Sequence, residues 1–317
     1  MILVTGATGF VGRHLVRRLA GAGEAVRCLV RAGSEGLEAL GPVEVVVGHL
    51  LDAESVASAC RGCRQVVHLA APVHDARDTA VARVQVEGMG WLIEAARRER
   101  VERILTVGPL GSASVAGLPF LRSRGQAEEL LRESGLPYVI LQSSLMFGAG
   151  DRLVSGMLRL LQRTGVLVLP STGRTMLQPI WVADVVSCLL RALTNEDALD
   201  RTIPIGGPQH LSYEEVADQV GRMLNVPRVK VHVSHRMAGW AARLLAGVKL
   251  NPFPAYRHLE LLSVGTITAL DSVRRAFGFQ PMPLIEGLAY QLLPGRAGSP
   301  SRPSVRSERN PRPRNQR

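Results

Sequence analysis

The chain has 317 residues, of which 46% are hydrophobic, 21% are charged and four are cysteine, and its formal net charge is +11. This length and apolar content support a full globular core, and they exclude fibrous, collagen-like and disulfide-scaffold proteins. The net charge alone suggests a polyanionic partner, so its distribution along the chain matters.

Apolar runs typical of strands alternate with helix-period segments through the first half of the chain. The predicted strands are residues 2–5, 25–30, 43–47, 65–69, 103–107 and 138–142. The predicted helices between them are residues 10–22, 53–60, 79–100 and 123–134. Strands rich in β-branched residues that alternate with helices indicate a parallel sheet covered on both faces. Residues 1–150 are therefore predicted to form a doubly wound parallel sheet of the α/β class.

After about residue 148 this alternation gives way to helices, short strands and breaks at Pro and Gly. Helices are predicted at residues 182–193, 212–224, 236–245, 271–277 and 284–292. Ser212 and Glu215 have the spacing of a capping box at the start of one of them. We predict a smaller α+β domain over residues 151–293 that closes over the ligand of the first domain, with residues of about 176–205 returning to that domain.

More than half of the net charge lies in the last residues, 294–317, where seven arginines stand against one glutamate. Pro, Ser, Gly, Asn and Arg dominate this tail, so we predict that it is disordered. No aromatic residue is interleaved with its arginines, and 36 of the 38 basic residues of the chain are arginine, which indicates a coding bias. Nucleic acid is therefore not the expected partner.

The sequence contains no run of about 18 uncharged apolar residues and no secretory signal pattern, so a cytoplasmic protein is the expectation. One predicted helix carries an apolar stripe with basic residues beside it. The stripe consists of Met237, Trp240, Ala241, Leu244, Leu245 and Val248. Two interpretations stay open: a helix that faces the core of the second domain, or a peripheral contact with an anionic membrane surface.

Cysteine spacing gives no indication of a metal or redox centre. The four cysteines are Cys28, Cys60, Cys63 and Cys188. Cys60 and Cys63 have a suggestive spacing, but the second cysteine pair or histidine motif that a zinc site needs is missing from the sequence. We therefore predict no metal site.

A glycine-rich turn follows the first strand directly and leads into a helix. Gly6 would permit a tight turn, Gly9 would let the backbone approach a pyrophosphate, and Gly12 would let the helix pack closely on the strand. The residues of this turn that we expect at the phosphates are Gly6, Thr8, Gly9, Phe10, Val11 and Gly12. This arrangement is typical of a Rossmann domain that binds a dinucleotide at a helix N-terminus.

The end of the second predicted strand distinguishes NAD from NADP. An acid at this position would hold the ribose 2′-hydroxyl of NAD, whereas an arginine suits the 2′-phosphate of NADP. Arg31 stands here, and the next acid along the chain is Glu35. A guanidinium can bind a phosphate through two hydrogen bonds, so NADP(H) is favoured over NAD(H), with Arg13 as a second candidate.

Four short motifs of the first half together resemble the extended and atypical short-chain dehydrogenase/reductases. They are TGATGFVG at 5–12, GHLLD at 48–52, VHLAA at 67–71 and GAGD at 148–151. In that family the second motif borders the adenine, which implies a cofactor contact at Leu50, although His49 replaces its first acid. The third motif borders the ribose, which implies contacts at Leu69, Ala70 and Ala71.

Motifs of the second half narrow this resemblance. They are GRT at 173–175, QPIWVADV at 178–185, GGP at 206–208 and SYEEV at 212–216. These segments are similar to the branch that contains the Rossmann-type accessory subunit of respiratory complex I. The resemblance extends over residues 1–292, which is nearly all of the chain except the tail.

The resemblance also implies where catalysis would reside, because the family uses a Ser and a Tyr-x-x-x-Lys pair as an acid/base set. The register of the following helix puts Phe120 at the tyrosine position and Arg124 at the lysine position. Gly108 and Pro109 stand where the family offers its serine, with only Ser112 and Ser114 nearby. Phe120 has no hydroxyl and cannot transfer a proton, while Arg124 could still bind a ribose or phosphate oxygen.

Two functions remain open. The first is an NADP(H)-binding protein used for structure, assembly or sensing, with a protein partner and without turnover. The second is an oxidoreductase or isomerase that takes its protons from a non-standard donor and binds a small molecule between the domains. Residues that could supply such a proton are His68, His74, Tyr138, Asp184 and Tyr213. His68 is interpreted first as a satisfied core histidine, Asp184 as an acid of a helix cap, and Tyr213 as a surface or packing residue.

Overall fold

The first half of the protein, in this computed structural model, is built from alternating strands and helices. The structure describes residues 1–33, 36–37, 41–71, 78–112, 118–170, 172–224, 229–234 and 264–292. The first strands are β1 (Ile2–Thr5), β2 (Val26–Val30), β3 (Val43–Val47), β4 (Gln65–His68), β5 (Arg103–Pro109) and β6 (Tyr138–Ser143). The helices between them are α1 (Phe10–Gly21), α2 (Ala53–Cys60), α3 (Asp78–Arg98) and α4 (Pro119–Arg132).

The second half contributes shorter strands and further helices. Its strands are β7 (Met146–Phe147), β8 (Val166–Pro170), β9 (Met176–Leu177), β10 (Ile180–Trp181), β11 (Arg201–Ile205), β12 (Leu211–Ser212) and β13 (Val229–Val233). Its helices are α5 (Val154–Thr164), α6 (Val182–Ala192), α7 (Tyr213–Leu224), α8 (Ser272–Phe277) and α9 (Leu284–Leu292).

Seven strands form the main sheet in the order β11-β6-β5-β4-β1-β2-β3, and all neighbours are parallel. Successive residues of β1 point to opposite faces: Leu3 packs with α3 and α4, whereas Val4 packs with α1 and α6. Helices therefore cover both faces, and this confirms the predicted doubly wound α/β class. The strand order reverses between β1 and β4, which creates a crevice at their carboxyl ends.

Strand β11 comes from the second half of the chain and completes the main sheet beside β6, with Ile205 opposite Ser143. The remaining short strands pair as β10 with β7, β12 with β9, and β13 with β8. The boundary near residue 150 and the division into two domains stay predictions. Among the described residues, no helix combines the length and the hydropathy that crossing a membrane requires.

Helix α7 begins as its sequence predicts. The amide of Glu215 donates to Ser212 Oγ at 3.1 Å, and the amide of Ser212 donates to Glu215 Oε2 at 2.7 Å. These reciprocal bonds form the predicted capping box, which satisfies two amides at the helix N-terminus. The apolar stripe at 237–248 and the tail at 294–317 lie outside the described residues.

Helix α4 begins four residues before the predicted start, at Pro119 rather than Ser123. Proline is accepted at the first helical position because its missing amide hydrogen has no intrahelical partner there. Ser123 does not cap the helix: its Oγ donates to Gln85 Oε1 at 2.5 Å and lies 3.1 Å from the carbonyl oxygen of Phe120. Phe120 and Arg124 therefore both belong to α4, one turn apart.

Candidate functional site

The glycine turn after β1 is shaped by close backbone contacts. Gly6 has a φ of +73°, and the amide of Gly9 donates to its carbonyl at 2.9 Å. A Cβ on Gly6 would lie 2.6 Å from the backbone nitrogen of Ala70 and 2.6 Å from the carbonyl carbon of Leu69. Any side chain at position 6 would therefore displace the segment after β4, and only glycine fits.

Helix α1 packs tightly against this turn at Gly12. A Cβ at that position would lie 2.1 Å from the carbonyl oxygen of Gly6 and 2.8 Å from the Cα of Ala7. The helix N-cap is Gly9, which provides no side-chain cap, and the first turn of α1 carries no acidic residue. Amides at an uncapped helix N-terminus attract an anion, so the turn has the geometry and polarity of a phosphate site.

The other predicted cofactor residues follow strands beside β1. Thr5 lies opposite Leu29 of β2 on one side and opposite His68 of β4 on the other, so the segments after these strands meet at one edge of the sheet. Arg31 is exposed after β2, while Leu69, Ala70 and Ala71 are half-buried after β4. Leu50 is buried, and Thr8, Phe10 and Val11 remain in the glycine turn and at the start of α1.

A second arginine lies over the glycine turn. Arg13 is exposed, and its Nε donates to the carbonyl of Thr8 at 3.0 Å. This bond holds its guanidinium beside the turn, whereas Arg31 stands at the end of β2. The next acid in the sequence, Glu35, lies outside the described residues, as does Ser34.

His68 is fully buried directly below the glycine turn. Its Nδ1 is hydrogen-bonded to Thr5 Oγ1 at 2.8 Å, while its Nε2 has no hydrogen-bond partner among the described residues. Burial lowers the pKa of His68 to about 3, and the nearby guanidinium of Arg124 contributes to this lowering. The imidazole is therefore neutral, and the expected satisfied core histidine has only one of its two nitrogens paired.

Arg124, which the sequence resemblance places at the position of the family lysine, points into the protein and is only 1% exposed. Its Nη2 donates to Thr106 Oγ1 and, at 2.9 Å, to the carbonyl of Val107. Its Nε lies 3.4 Å from Oε1 of Glu128, one turn further along α4, and Glu128 is also fully buried. The guanidinium thus hydrogen-bonds to protein groups through Nη2, while its Nε contacts Glu128 as an ion pair and has no hydrogen-bond partner among the described residues.

Gly108 is confined by this buried ion pair. A Cβ on Gly108 would lie 2.2 Å from Glu128 Oε1 and 2.8 Å from Arg124 Nε. The second carboxylate oxygen of Glu128 accepts from Gln142 Nε2 at 2.8 Å, which holds the carboxylate in place. A serine at position 108 would therefore have to displace the side chains of Glu128 and Arg124.

Phe120 lies in a small apolar cluster with Val81 and Leu121, and Leu118 and Val264 pack against it. Its side chain is buried, so the residue that we expect at the family's tyrosine position makes hydrophobic contacts. Ser112 is buried nearby and donates to the carbonyl of Pro109 at 2.6 Å. Ser114 and His74 lie outside the described residues.

Asp184 and Tyr213, two of the candidate proton donors, are both buried in contacts within the protein. Asp184 is buried in the first turn of α6, and its Oδ2 accepts from the amide of Met282 at 2.7 Å. Tyr213 is buried, and burial raises the pKa of its phenol above the ordinary range. Tyr213 is therefore a packing residue, while Asp184 connects α6 with the segment before α9.

Gln178 joins two of the sequence motifs into one packing unit, a role that sequence reasoning missed. Its Nε2 donates to the carbonyl of Gly207 at 2.7 Å, and its Oε1 accepts from the amide of Thr268 at 2.7 Å. A Cβ on Gly206 would lie 2.4 Å from the amide carbon of Gln178, and one on Gly207 would lie 1.8 Å from the carbonyl oxygen of Pro179. The GGP motif therefore serves packing against Gln178.

The four cysteines are all buried and unpaired. Burial raises the pKa of Cys28 and of Cys60 to about 12, so neither thiol is ionised at neutral pH. Within the described part of the chain, no three residues among His, Cys, Asp and Glu are grouped so that they could hold a metal ion.

Known proteins resemble most of the chain, and a family model matches its first half. A family model described as NAD(P)H-binding matches residues 6–152. The chain is 24% identical over 288 residues to NADH dehydrogenase (ubiquinone) 1 alpha subcomplex subunit 9 of Rattus norvegicus, with 89% of this chain and 76% of that protein covered. It is 29% identical to the photosystem II assembly factor Ycf39 of Cyanophora paradoxa, with 70% and 68% covered.

Enzymes are also among the similar proteins. A 3-diazoavenalumate denitrifying reductase of a Streptomyces species is 30% identical over 223 residues, with 62% of this chain and 72% of that protein covered. An NADPH-dependent quinone oxidoreductase of Escherichia coli, solved with NADPH, superposes with a TM-score of 0.72 at 18% identity, with 91% and 99% covered. A protein solved with UDP-glucose and NAD, MoeE5, superposes with a TM-score of 0.73 at 22% identity, with 92% and 96% covered.

The glycine turn, the sheet order and these similarities agree with one another. The structural neighbours share the fold, and the family model shares the segment that contains the turn. The chain belongs to the NAD(P)-binding short-chain dehydrogenase/reductase superfamily, in its atypical branch.

Proposed function

We propose that the protein binds NADP(H) at the crevice between β1 and β4 and uses it for structure, assembly or sensing. The observation that carries this proposal is the glycine turn, where Gly6 and Gly12 have no room for a side chain and α1 begins without a cap. The residues proposed to contact the dinucleotide are Gly6, Thr8, Gly9, Phe10, Val11, Gly12, Arg31, Leu50, Leu69, Ala70 and Ala71.

The choice of NADP(H) over NAD(H) is supported by Arg31. It directly follows β2, is exposed, and is followed by Ala32 and Gly33, which bring no carboxylate to the strand end. A guanidinium at this place would bind the 2′-phosphate with two charge-assisted hydrogen bonds. Similar proteins were solved with NAD and with NADPH, so the preference depends on this residue.

The absence of ordinary turnover is supported by three positions that the family uses for acid/base chemistry. Phe120 lacks a hydroxyl and packs in an apolar cluster, Arg124 is buried, and a side chain at Gly108 would collide with Glu128. A subunit of NADH dehydrogenase and a photosystem II assembly factor are among the relatives, which supports a role with a protein partner.

A second candidate is an oxidoreductase or isomerase that acts on a small molecule held between the first domain and residues 151–293. The relative named as a denitrifying reductase supports this candidate. Hydride transfer needs only the nicotinamide, so the missing tyrosine would have to be replaced by another proton source, such as water or the substrate.

The test uses the full chain, purified without added nucleotide. Native mass spectrometry would identify what co-purifies, and NADPH oxidation would be followed against a panel of carbonyl compounds and quinones. We expect bound NADP(H) and no oxidation above that of a Gly12→Ala variant, which removes the site. NADPH oxidation at the rate of an active family member would overturn the non-catalytic proposal, and failure to bind any dinucleotide would overturn the proposal as a whole.

A further inference from the structure

A buried polar chain crosses three strands beneath the glycine turn. It consists of Thr5 on β1, His68 on β4, Thr106 on β5, and Arg124 and Glu128 on α4. Each of these five residues is at most 1% exposed. Thr5, His68 and Thr106 lie in register on neighbouring strands, so the chain runs straight across the sheet.

Continuous contacts connect its members. Thr106 Oγ1 donates to the backbone carbonyl of His68 at 2.8 Å and accepts from Arg124 Nη2. The imidazole of His68 then bonds to Thr5 Oγ1 at 2.8 Å. Arg124 therefore holds the end of β4 in place through the hydroxyl of Thr106. The imidazole of His68, at that end of β4, in turn holds the end of β1.

Both strand ends lead directly into the walls of the proposed dinucleotide site. Thr5 precedes Gly6, and His68 precedes Leu69, whose carbonyl carbon lies 2.6 Å from where a Cβ on Gly6 would be. The glycine turn and the segment after β4 are therefore in close packing contact. A small movement of β4 would therefore be passed on to the turn that faces the phosphates.

The guanidinium is held at a distance from solvent by a second set of contacts. Glu128 lies 3.4 Å from Arg124 Nε, and its carboxylate also accepts from Gln142 at 2.8 Å and from Arg132 at 3.3 Å. A buried charge with such partners is costly to move, because each partner would be left unpaired. Arg124 is therefore anchored to β5 through Thr106 and Val107 and is almost completely buried.

We infer that Arg124 is a positioning residue of the dinucleotide site, which acts through Thr106 and His68 on the glycine turn and does not contact the cofactor. This inference rests on the proposed function. The sequence resemblance implied a direct contact between Arg124 and the cofactor, and the inference replaces that contact by an indirect effect. The hydroxyl of Thr106 is the link on which the effect depends.

The test is a double-mutant cycle on NADPH affinity, measured by calorimetry with the full chain. Thr106→Val removes the linking hydroxyl at nearly constant volume and leaves Arg124 in place. Arg124→Lys removes the planar guanidinium, and Arg98→Lys on the exposed face of α3 is the matched control. Thr106→Ser, which keeps the hydroxyl, is the conservative variant, and urea unfolding of each protein reports stability separately from affinity.

We expect Thr106→Val and Arg124→Lys each to weaken NADPH binding by about tenfold. The double variant should bind NADPH no more weakly than the weaker-binding of the two single variants. Thr106→Ser and Arg98→Lys should bind as the parent does. Unchanged affinity in Thr106→Val, or losses that multiply in the double variant, would overturn the inference. These results presuppose that the parent binds NADPH, so failure of the parent to bind would instead contradict the proposed function.

If Thr106→Val does not fold, NMR spectroscopy of the parent protein tests the inference. The ¹⁵N signals of the His68 imidazole should shift when NADPH binds, because the imidazole is fixed between the turn and the polar chain. Thr106→Ser should retain this shift. Signals of His68 that do not respond to saturating NADPH would overturn the inference.

Discussion

A side chain on Gly108 and the carboxylate of Glu128 would occupy the same space, since a Cβ at position 108 would lie 2.2 Å from Glu128 Oε1. Glu128 is fully buried and cannot swing into solvent without leaving Arg124 unpaired. The glycine in β5 and the charged pair in α4 are therefore structurally interdependent. A serine at this position, where the sequence resemblance places the family serine, would therefore conflict with the Arg124–Glu128 pair.

Gly108→Ser is expected to destabilise the protein by about 1–3 kcal/mol, because the new side chain must displace a buried carboxylate. Urea unfolding would measure the loss. Gly90→Ser is the matched control, since a Cβ on Gly90 of α3 would meet nothing within 4 Å. Equal stabilities of the two variants would contradict the steric conflict.

Gly12→Ala should abolish dinucleotide binding, because its Cβ would lie 2.1 Å from the carbonyl oxygen of Gly6 and would push α1 away from the turn. The same substitution at Gly21, at the end of the same helix, would meet nothing within 4 Å. Gly21→Ala should bind as the parent does and be more stable by about 0.5–1 kcal/mol, because alanine is the better helix former. Titration with NADPH would compare the two, and binding by Gly12→Ala would argue against the proposed turn geometry.

His68 gives the stability of the protein a pH dependence with a defined sign. Burial lowers its pKa from 6.5 to about 3, so below pH 6.5 the unfolded chain takes up a proton that the folded chain does not. The free energy of unfolding should therefore decrease as the pH falls from 6.5 towards 3, by about 2 kcal/mol between pH 7 and pH 5 from this group.

Urea unfolding of the parent and of His68→Asn at both pH values would isolate that contribution. The variant should lose stability at pH 7, where it lacks the imidazole, and should depend less on pH than the parent. His49→Asn, at an exposed histidine, serves as the control. A pH dependence that is identical in the parent and in His68→Asn would rule out a buried neutral histidine.

Restoring the family pair is expected to give no catalyst. Phe120→Tyr would place a hydroxyl in an apolar cluster, at a cost of about 1–3 kcal/mol, and Arg124→Lys would remove the bonds to Thr106 and Val107. The doubly substituted protein should unfold at lower urea concentration and oxidise NADPH no faster than the parent. Substantial NADPH oxidation with a carbonyl compound or quinone would show that only these two residues were missing.

Sequence periodicity predicted the sheet and the glycine turn well, because both depend on local patterns. The predicted start of α4 at residue 123 was wrong, because the helix begins at Pro119 and the hydroxyl of Ser123 bonds to Gln85 on α3. Tertiary contacts decided that boundary. The pairing of β8 with β13 was not predicted either, because these strands are distant in the sequence. Helix α5 was also missed.

The polar chain could not be predicted from single residues. From the sequence, His68 is interpreted as a core histidine in an apolar strand. Arg124 is interpreted as a replacement of lysine in an arginine-rich protein. Their relationship depends on strand register, which brings Thr106 beside His68, and on the absence of a Cβ at Gly108. The only signal in the sequence was the spacing of Arg124 and Glu128, which places a basic and an acidic residue one helical turn apart.

The central claim is that the glycine turn and Arg31 together form an NADP(H) site, and side-by-side calorimetric titration with NADPH and NADH tests it most directly. The parent and Arg31→Ala would be compared, with Arg98→Ala as a control at an exposed arginine. We expect the parent to bind NADPH at least about tenfold more tightly than NADH. Arg31→Ala should reduce this difference in affinity, and Arg98→Ala should leave it unchanged. Equal affinity of the parent for the two dinucleotides would contradict the central claim.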